Sequence, residues 1–260
     1  HVAVIYDQTS VNNDPQLYIN GVSQSVTEQL TPGGTATSDA ANVLTLGVYG
    51  DTNQSDFFLG LMDDVRIYSR ALTADEIKRL YNLGGFRINK PVYSNSLQTG
   101  LVGVWSFDGQ DMAGTIAYDR SGQGNNGTLT NGPVRAIGRI GQSLRFDGVD
   151  DYVNAGSGTS LDNITVKTIS AWIKPRSISG STYSTIMQKI GDCSSTFTWS
   201  FYLHSSSGNW LEFGQGFTAS AAGFWRATQA INMNEWQHVA VEYDRSGQNH
   251  DAVMYINCVA

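Results

Sequence analysis

Apolar and polar residues alternate with a period of two along most of the chain, in short runs separated by turns rich in Gly, Asn, Asp and Ser. Clear examples are VLTLGVY (43–49), TISAWIKPRS (168–177), FTWSFYLH (197–204) and NEWQHVAVEYD (234–244). This period is typical of β-strands that bury one face, and many short strands between turns are typical of a sandwich. The pattern therefore predicts an all-β fold built as an antiparallel β-sandwich.

One stretch follows a helical period instead. Thr73 and Glu76 have the spacing of a capping box, in which each side chain satisfies a backbone N–H of the first helical turn. The apolar residues that follow recur at spacings of three and four, which places them on one face of a helix. We predict one short amphipathic helix at about 73–82, lying against the sandwich.

The start of the chain recurs at its end. HVAVIYD (1–7) and HVAVEYD (238–244) differ at one position, and YIN (18–20) recurs as YIN (255–257). The offset is constant without a gap, and a period of this length indicates a tandem array of whole domains. We therefore expect the chain to contain the C-terminal half of one module (1–82), a linker (83–98) and the N-terminal half of the next module (99–260), with 238–260 repeating 1–23.

Two arrangements of these halves are compatible with the sequence. The halves can close into one circularly permuted sandwich, because the termini of such domains lie close together and a tethered half has a high local concentration. Alternatively, each half can pair with a neighbouring molecule, giving a domain-swapped homo-oligomer. We favour closure within one chain. In either case the two copies of the terminal hairpin compete for one position in the sheet.

Three motifs relate the chain to a known family. They are DDVRIYSRAL (63–72), WSFD (105–108) and FDGVDDYV (146–153). Together they resemble the laminin-G-like, concanavalin A-like jelly-roll modules, and the resemblance extends over 1–82 and 99–260. It implies a jelly-roll sandwich of the kind found in secreted and cell-surface proteins, where most members bind sugars or other proteins.

Composition narrows the possible partners. Apolar residues make up 40% of the 260 residues, charged residues only 15%, and the net charge is −7. Nucleic acid requires a basic face, so we expect no nucleic-acid partner, and the absence of an apolar run of 18 residues predicts no membrane insertion. This composition is typical of an extracellular β-protein, secreted or on the cell surface. The cysteines Cys193 and Cys258 are compatible with a disulfide or with two free thiols.

A calcium ion is the first candidate cofactor. Alternation places Asp63 on the same strand face as Leu61 and Val65, and a buried carboxylate needs a partner. Calcium takes six to eight oxygen ligands, and the family resemblance implies a structural Ca²⁺ held by Asp63, with Asp108 and Asp147 as further ligands. Pairing with an arginine, or acceptance of turn N–H groups, is the alternative for Asp63.

Aromatic residues beside Gly- and Ser-rich stretches are candidates for ligand binding. These are Tyr183, Trp210, Phe224 and Trp225. Sugars present C–H faces that stack on such rings, so these residues would bind a glycan if they line a concave sheet. Packing at the sheet edge is the alternative role for them.

Catalytic motifs are absent from the sequence. Glucanases that share this fold carry E-x-D-x-x-E on one strand, and no such pattern occurs here. Glu242 and Asp244 are the remaining candidate pair, but the repeat has Ile5 in place of the glutamate. We therefore expect a non-catalytic module that binds a glycan or a surface protein within a tandem adhesion protein. A glycoside hydrolase or lyase, or a structural stalk or filament unit, is the alternative.

Overall fold

The computed structural model of the chain describes residues 1–7, 15–30, 39, 42–49, 56–83, 95–178, 182–190, 198–205, 208–217, 220–243 and 252–256. Cys193, Cys258 and the carboxylate candidate Asp244 lie outside these residues, as does most of the linker. Across the described part of the chain, no helix has the length and apolar character needed to span a membrane.

The described residues form twenty strands and two α-helices. In chain order the strands are β1 (Val2–Asp7), β2 (Pro15–Ile19), β3 (Val22–Gln24), β4 (Val26–Leu30), β5 (Val43–Leu46), β6 (Leu59–Tyr68), β7 (Leu101–Trp105), β8 (Met112–Ala113), β9 (Ile116–Ala117), β10 (Gly127–Thr130), β11 (Val134–Ile137), β12 (Gln142–Asp147), β13 (Tyr152–Asn154), β14 (Val166–Pro175), β15 (Tyr183–Ile190), β16 (Trp199–His204), β17 (Trp210–Phe217), β18 (Ser220–Ala230), β19 (Gln237–Tyr243) and β20 (Val253–Met254). The helices are α1 (Ala74–Leu83) and α2 (Asn95–Gln98).

The strands form two sheets that together make a sandwich, as the alternation predicts. The first sheet has the order β1-β2-β3-β20-β19-β14-β6-β12-β11, with β7 also paired to β6. The second has the order β4-β18-β17-β16-β15-β5-β13-β10-β9-β8. Strand β6 lies between β14 and β12, and β5 lies between β15 and β13. Strands from before and after the linker therefore interleave in both sheets, and one chain closes the sandwich.

Large apolar side chains fill the space between the sheets. Trp105, Phe146 and Phe201 are fully buried in one continuous core that draws on both sheets. The sheets approach through alternate residues of each strand, and the remaining alternate residues face away from the core. This alternation determines which side chains are available at the two outer surfaces.

Helix α1 begins with the predicted capping box. The Glu76 amide donates to Thr73 Oγ1 at 3.3 Å, and the Thr73 amide donates to Glu76 Oε2 at 3.0 Å. Arg70 adds a bidentate contact to the same carboxylate, at 2.8 and 2.9 Å. Ile77 and Leu80 are buried in the core cluster, so the helix packs against the first sheet through the face that the sequence predicts.

The two copies of the repeated hairpin have the same position in the first sheet, which we call the hairpin slot. In β1, Val2 pairs with Ala171 of β14, and four further pairs continue the register to Lys167. In β19, Val239 pairs with that same Ala171, and the same partners follow in the same order. The slot is thus defined by residues 167–171 of β14.

Side chains of the two copies coincide within the hairpin slot. The rings of His1 and His238 share one position, and those of Tyr18 and Tyr255 share another. The backbone N–H of Asn20 donates to the carbonyl oxygen of His1 at 2.9 Å and to that of His238 at 2.8 Å. Two side chains cannot fill one volume, so the copies are alternative occupants and the slot holds one at a time.

Strand β6 changes the side on which its apolar residues lie. Met62 packs in the core before Asp64, and Val65 and Ile67 pack in the core after it. Asp64 has a left-handed backbone, with φ of 51°, which accounts for this change of parity. Strict alternation across the whole strand is therefore wrong, and Asp63 lies on the outer side rather than on the core face of Val65.

Candidate functional site

The residues of the second sheet that point away from the core form rows across its strands, and we call this side of the sheet the polar face. Register pairs Tyr183 with His204 and His204 with Trp210, so these three residues form one row across β15, β16 and β17. The next row joins Thr185, Tyr202, Glu212 and Arg226. A further row joins Gln188, Ser200, Gly214 and Phe224.

Their immediate neighbours in sequence point the other way. Phe201, Leu203, Leu211 and Phe213 belong to the core cluster. Because side chains alternate between the two sides of a strand, the rows above face outward. The polar face is therefore a consequence of the same period of two that builds the core.

Glu212 is the centre of a charged cluster on this face. Its carboxylate accepts a hydrogen bond from Arg226 Nε and lies 2.9 Å from His204 Nδ1. Tyr202 also donates to it, and Glu212 is almost completely buried. A buried carboxylate requires such partners, since removing an unpaired charge from water is costly. The cluster is consequently held in one arrangement before any ligand arrives.

The cluster fixes the protonation of Tyr202. Burial, together with the neighbouring Glu212 carboxylate, raises the pKa of Tyr202 well above its usual range, so the phenol keeps its proton. Arg226 Nη2 lies 2.9 Å from His204 Nδ1. The same ring nitrogen therefore contacts both members of the Arg226–Glu212 ion pair.

Three polar atoms on the floor of the polar face have no hydrogen-bond partner among the described residues. They are Thr185 Oγ1, Gln188 Oε1 and Ser200 Oγ, and each is buried. Buried polar side-chain atoms normally have a partner, and those without one require an explanation. Buried polar atoms without a protein partner are commonly satisfied by water, and a hydroxyl group of a bound molecule would satisfy them where it takes the place of that water.

The four aromatic residues predicted to bind a ligand do not all lie on the polar face. Tyr183 is 39% exposed and lies 4.7 Å from His204 and 5.4 Å from Tyr202, measured between ring centroids. Trp210 is half-buried in the same row, and Phe224 is half-buried in a neighbouring row. These positions are consistent with a ligand-binding role, which stays a prediction.

Trp225 has a different position from the other three. It is fully buried, with its ring 6.3 Å from Phe213 and 5.2 Å from Tyr243. The prediction that it lines a ligand surface is wrong, because its parity on β18 directs it into the core.

Sequence motifs did not identify Tyr202, His204, Glu212 or Arg226. Catalytic and metal motifs are local in sequence, whereas these residues meet only through pairing between three strands. The available signal was alternation, since Tyr202 and His204 alternate with apolar neighbours, as does Glu212. Polar residues recurring at the same parity on consecutive strands would have predicted a shared surface.

Asp63 is the centre of a second, acidic site. It is fully buried, Oδ2 accepts the amide of Ile140 at 2.8 Å, and Oδ1 has no partner among the described residues. Burial raises the pKa of Asp63 to about 9, and the charges of Asp64 and Asp108 add to this effect. Without a compensating cation, the carboxyl therefore holds a proton at neutral pH.

Asp108 faces the same turn as Asp63. Its Oδ1 accepts the amide of Gln142 at 2.7 Å, and burial raises its pKa as well. Two glycines allow both carboxylates to approach, because a Cβ at Gly138 would collide with Asp63 and a Cβ at Gly141 would collide with Asp108. An orphaned buried oxygen beside a second carboxylate fits a divalent cation with oxygen ligands such as Ca²⁺.

Asp147 belongs to a different cluster. It pairs with Leu59, four residues from Asp63 along β6, which corresponds to roughly 13 Å. Its carboxylate lies instead with those of Asp150 and Asp151, where it accepts the amide of Val149 at 2.8 Å. The structure therefore brings together Asp63 and Asp108 of the predicted calcium ligands, but not Asp147.

The catalytic candidate Glu242 lies in the hairpin slot, far from the polar face in the sheet order. It is buried, and burial raises its pKa well above the usual range of a carboxyl group. The slot has Ile5 at the equivalent position when the other copy is present. Structural packing accounts for this position without a catalytic role.

Comparison with known proteins gives one match. A laminin G family model, described as the concanavalin A-like lectin/glucanases superfamily, matches residues 1–78 and 147–260. The match is thus split into two segments that together cover most of the chain. No curated protein and no solved structure matches the chain.

Proposed function

Because the chain belongs to the concanavalin A-like lectin/glucanase superfamily, we propose that its polar face binds a carbohydrate. The observation that carries this proposal is the floor of the face. Three buried polar atoms there have no partner among the described residues, and exposed or half-buried aromatic rings border them. Sugar rings have hydroxyl groups for such atoms and C–H faces for the aromatic rings.

Binding is proposed rather than hydrolysis. Glycoside hydrolysis generally requires two carboxyl groups about 5 to 10 Å apart, one on each side of the scissile bond. Among the register-paired residues of β15 to β18 on this face, Glu212 is the one carboxylate, and Arg226 neutralises it. The Arg226–Glu212 ion pair, with Tyr202 and Tyr183 beside it, is held in place before a ligand binds. This arrangement favours binding of a ligand over its hydrolysis.

Calcium is proposed as a structural cofactor at Asp63 and Asp108. A bound cation would supply the positive charge that lets both carboxylates ionise in a buried place. The unpartnered Asp63 Oδ1 and the two glycines of the 138–142 turn support this assignment. We also place the protein outside the cell, in a secreted or surface-attached adhesion protein, on the basis of its low charge content and its family.

A panel of neutral oligosaccharides, first arrayed and then measured by calorimetry, tests the carbohydrate proposal. Tyr183→Ala should weaken binding of the selected sugar about two- to tenfold, the range expected for one stacking contact. Ser200→Ala should weaken it to a similar extent, since one hydrogen bond is lost.

Ser170→Ala is the matched control for Ser200→Ala. Ser170 is equally buried and its hydroxyl also has no partner among the described residues, but it lies on the first sheet. Its variant should bind the sugar as the parent protein does. The proposal fails if no neutral sugar binds, or if Ser170→Ala and Ser200→Ala weaken binding equally.

A further inference from the structure

A shallow cleft of about 430 Å³ opens on the outer surface of the first sheet, away from the polar face. Strands β11, β12, β6 and β14 lie side by side beneath it. Three cations and three apolar side chains line it: Arg145, Lys174, Arg176, Leu61, Ala136 and Ile137. The charged residues come from two separate strands, so no local sequence motif marks this site.

The register of the sheet determines the arrangement of the cations. Arg145 pairs with Leu61, and Leu61 pairs with Lys174, so two cations flank one leucine across three strands. Two strand spacings separate their backbones by roughly 10 Å. Arg176 directly follows the end of β14 and also lines the cleft.

These cations have no ionic partner within the described residues. None of the three lies within 4 Å of a carboxylate oxygen of a described residue, although other arginines and lysines of the chain do. Asp147 is the nearest acidic neighbour along β12, and its Oδ1 is engaged by the amide of Val149. The three cations around an apolar floor therefore form a local positive patch on a protein whose net charge is −7.

We propose that this cleft binds a sugar chain that carries carboxylate or sulfate groups. Arginine forms bidentate hydrogen bonds with such planar or tetrahedral anions, and lysine adds a point charge. The C–H face of a sugar ring would cover Leu61 and Ala136 between the charged groups. The site is separate from the polar face, so this proposal does not depend on the one made above.

The composition of the cleft argues against a nucleic-acid ligand. Proteins that bind single strands combine cations with aromatic rings on which bases stack. The described residues that line this cleft include no aromatic side chain. The overall negative charge would also repel a long polyphosphate, whereas a short charged segment of a glycan meets mainly the local field.

Short oligomers of dextran sulfate and of uncharged dextran are suitable probes because they share one sugar backbone and are short enough to meet mainly the local field of the cleft. Binding of the full chain is measured at increasing NaCl concentration. The parent should bind dextran sulfate but not dextran, with a slope of log affinity against log salt of about −2 to −3, by analogy with phosphate contacts. Each cation removed should reduce the magnitude of this slope by about 1.

Lys174→Gln/Arg176→Gln is the test variant, and Lys78→Gln/Arg79→Gln is its control. The control removes the same charge from the exposed side of α1. The test variant should lose most of its affinity for dextran sulfate, whereas the control should keep it. Unchanged melting temperatures, measured for both, establish that the fold is intact.

Equal losses in the two variants would overturn the proposal, because attraction would then depend on net charge alone. Equal affinity of the parent for dextran sulfate and for single-stranded DNA would overturn the assignment to a sugar chain. Retained binding in Lys174→Gln/Arg176→Gln would place the anion elsewhere. Variants of Tyr183 and Ser200 should leave dextran sulfate binding unchanged, which distinguishes this site from the polar face.

Discussion

Val2 and Val239 both pair with Ala171 of β14, although they lie at opposite ends of the chain. The hairpin slot accepts either copy in one register, so the residues that differ between the copies decide the occupant. Ile5 and Glu242 are the difference within the paired strand, and both face Thr168. Burial raises the pKa of Glu242 well above its usual range, whereas an isoleucine is readily buried.

We therefore expect the N-terminal copy to occupy the slot at neutral pH. The turn of the hairpin adds to this preference, because Gly21 has φ of 82° and the second copy has Cys258 at the equivalent place. Side chains are rarely accommodated at such angles. In a Cys193→Ser background, thiol reagents should label Cys258 rapidly in the native protein.

Glu242→Ile should slow this labelling, since it removes the cost of burying a carboxylate and lets the second copy compete. Glu235→Gln, which changes an exposed glutamate outside the repeat, serves as the control and should have no effect. Slow labelling in the parent protein would show that the C-terminal copy is the occupant.

Exchange of hairpins between molecules should not produce oligomers. Each chain has one slot and two copies, so exchange leaves the number of filled slots and of displaced copies unchanged. It gains no pairing, whereas a tethered copy has an effective concentration in the millimolar range. Light scattering at micromolar protein should give the monomer mass, and a mass that grows with concentration would contradict this account.

The acidic site predicts a specific dependence of stability on pH. In the presence of a chelator, Asp63 has a pKa of about 9 in the folded protein and about 4 in the unfolded chain. Between these values the folded state holds one more proton, so stability falls as pH rises from about 4 to about 9. The stabilisation from this group is complete only below about pH 4.

Asp63→Asn should abolish this pH dependence and should raise the melting temperature at pH 8 in chelator by several degrees. Calcium should stabilise the parent at pH 8, where binding of the cation to the carboxylate releases the proton to solvent, but should not stabilise Asp63→Asn. Asp147→Asn is the control and should keep the calcium response. If Asp147→Asn loses that response instead, the ion binds at the Asp147, Asp150 and Asp151 cluster.

The buried ion pair of Lys189 and Asp162 gives a stability prediction, because removing either partner should cost a different free energy of unfolding. Its ammonium is fully buried, 2.7 Å from Asp162 Oδ1 and 2.7 Å from the carbonyl oxygen of Asp39. Asp162→Ala leaves this charge buried without its main partner and should cost about 3 kcal/mol. Lys189→Met should cost less, because the Asp162 side chain is 17% exposed and can be hydrated, while the buried Asp39 carboxylate, 4.0 Å from the ammonium, keeps the amide of Asn163. Urea unfolding of the two variants measures the difference, and a cost below about 0.5 kcal/mol for Asp162→Ala would contradict it.

The elements of the fold that depend on local pattern could be predicted from the sequence. The capping box at Thr73 and Glu76 and the alternation of β14 to β19 are examples, because the residues that determine each structure are close in sequence. Strand β6 shows the limit of this reasoning. One residue with a left-handed backbone, Asp64, reverses the side on which the apolar residues lie. The alternation of apolar and polar residues does not predict this reversal.

The candidate sites were less accessible to prediction for a related reason. Trp225 and Tyr183 have similar sequence surroundings, but one is buried and the other is exposed. Register between strands distant in sequence makes this distinction, and it also brings Glu212 to Arg226 and Arg145 to Lys174. Asp63 was identified because a carboxylate within an apolar strand is conspicuous whichever side it faces.

The repeated hairpin limits the effect of a mutation in either copy within this chain. A substitution that weakens one copy cannot destabilise the sandwich by more than the free-energy difference between the copies, since the other copy then takes its place. Within this chain, mutations in residues 1–7 should therefore be less damaging than the same mutations in a sandwich with a single hairpin.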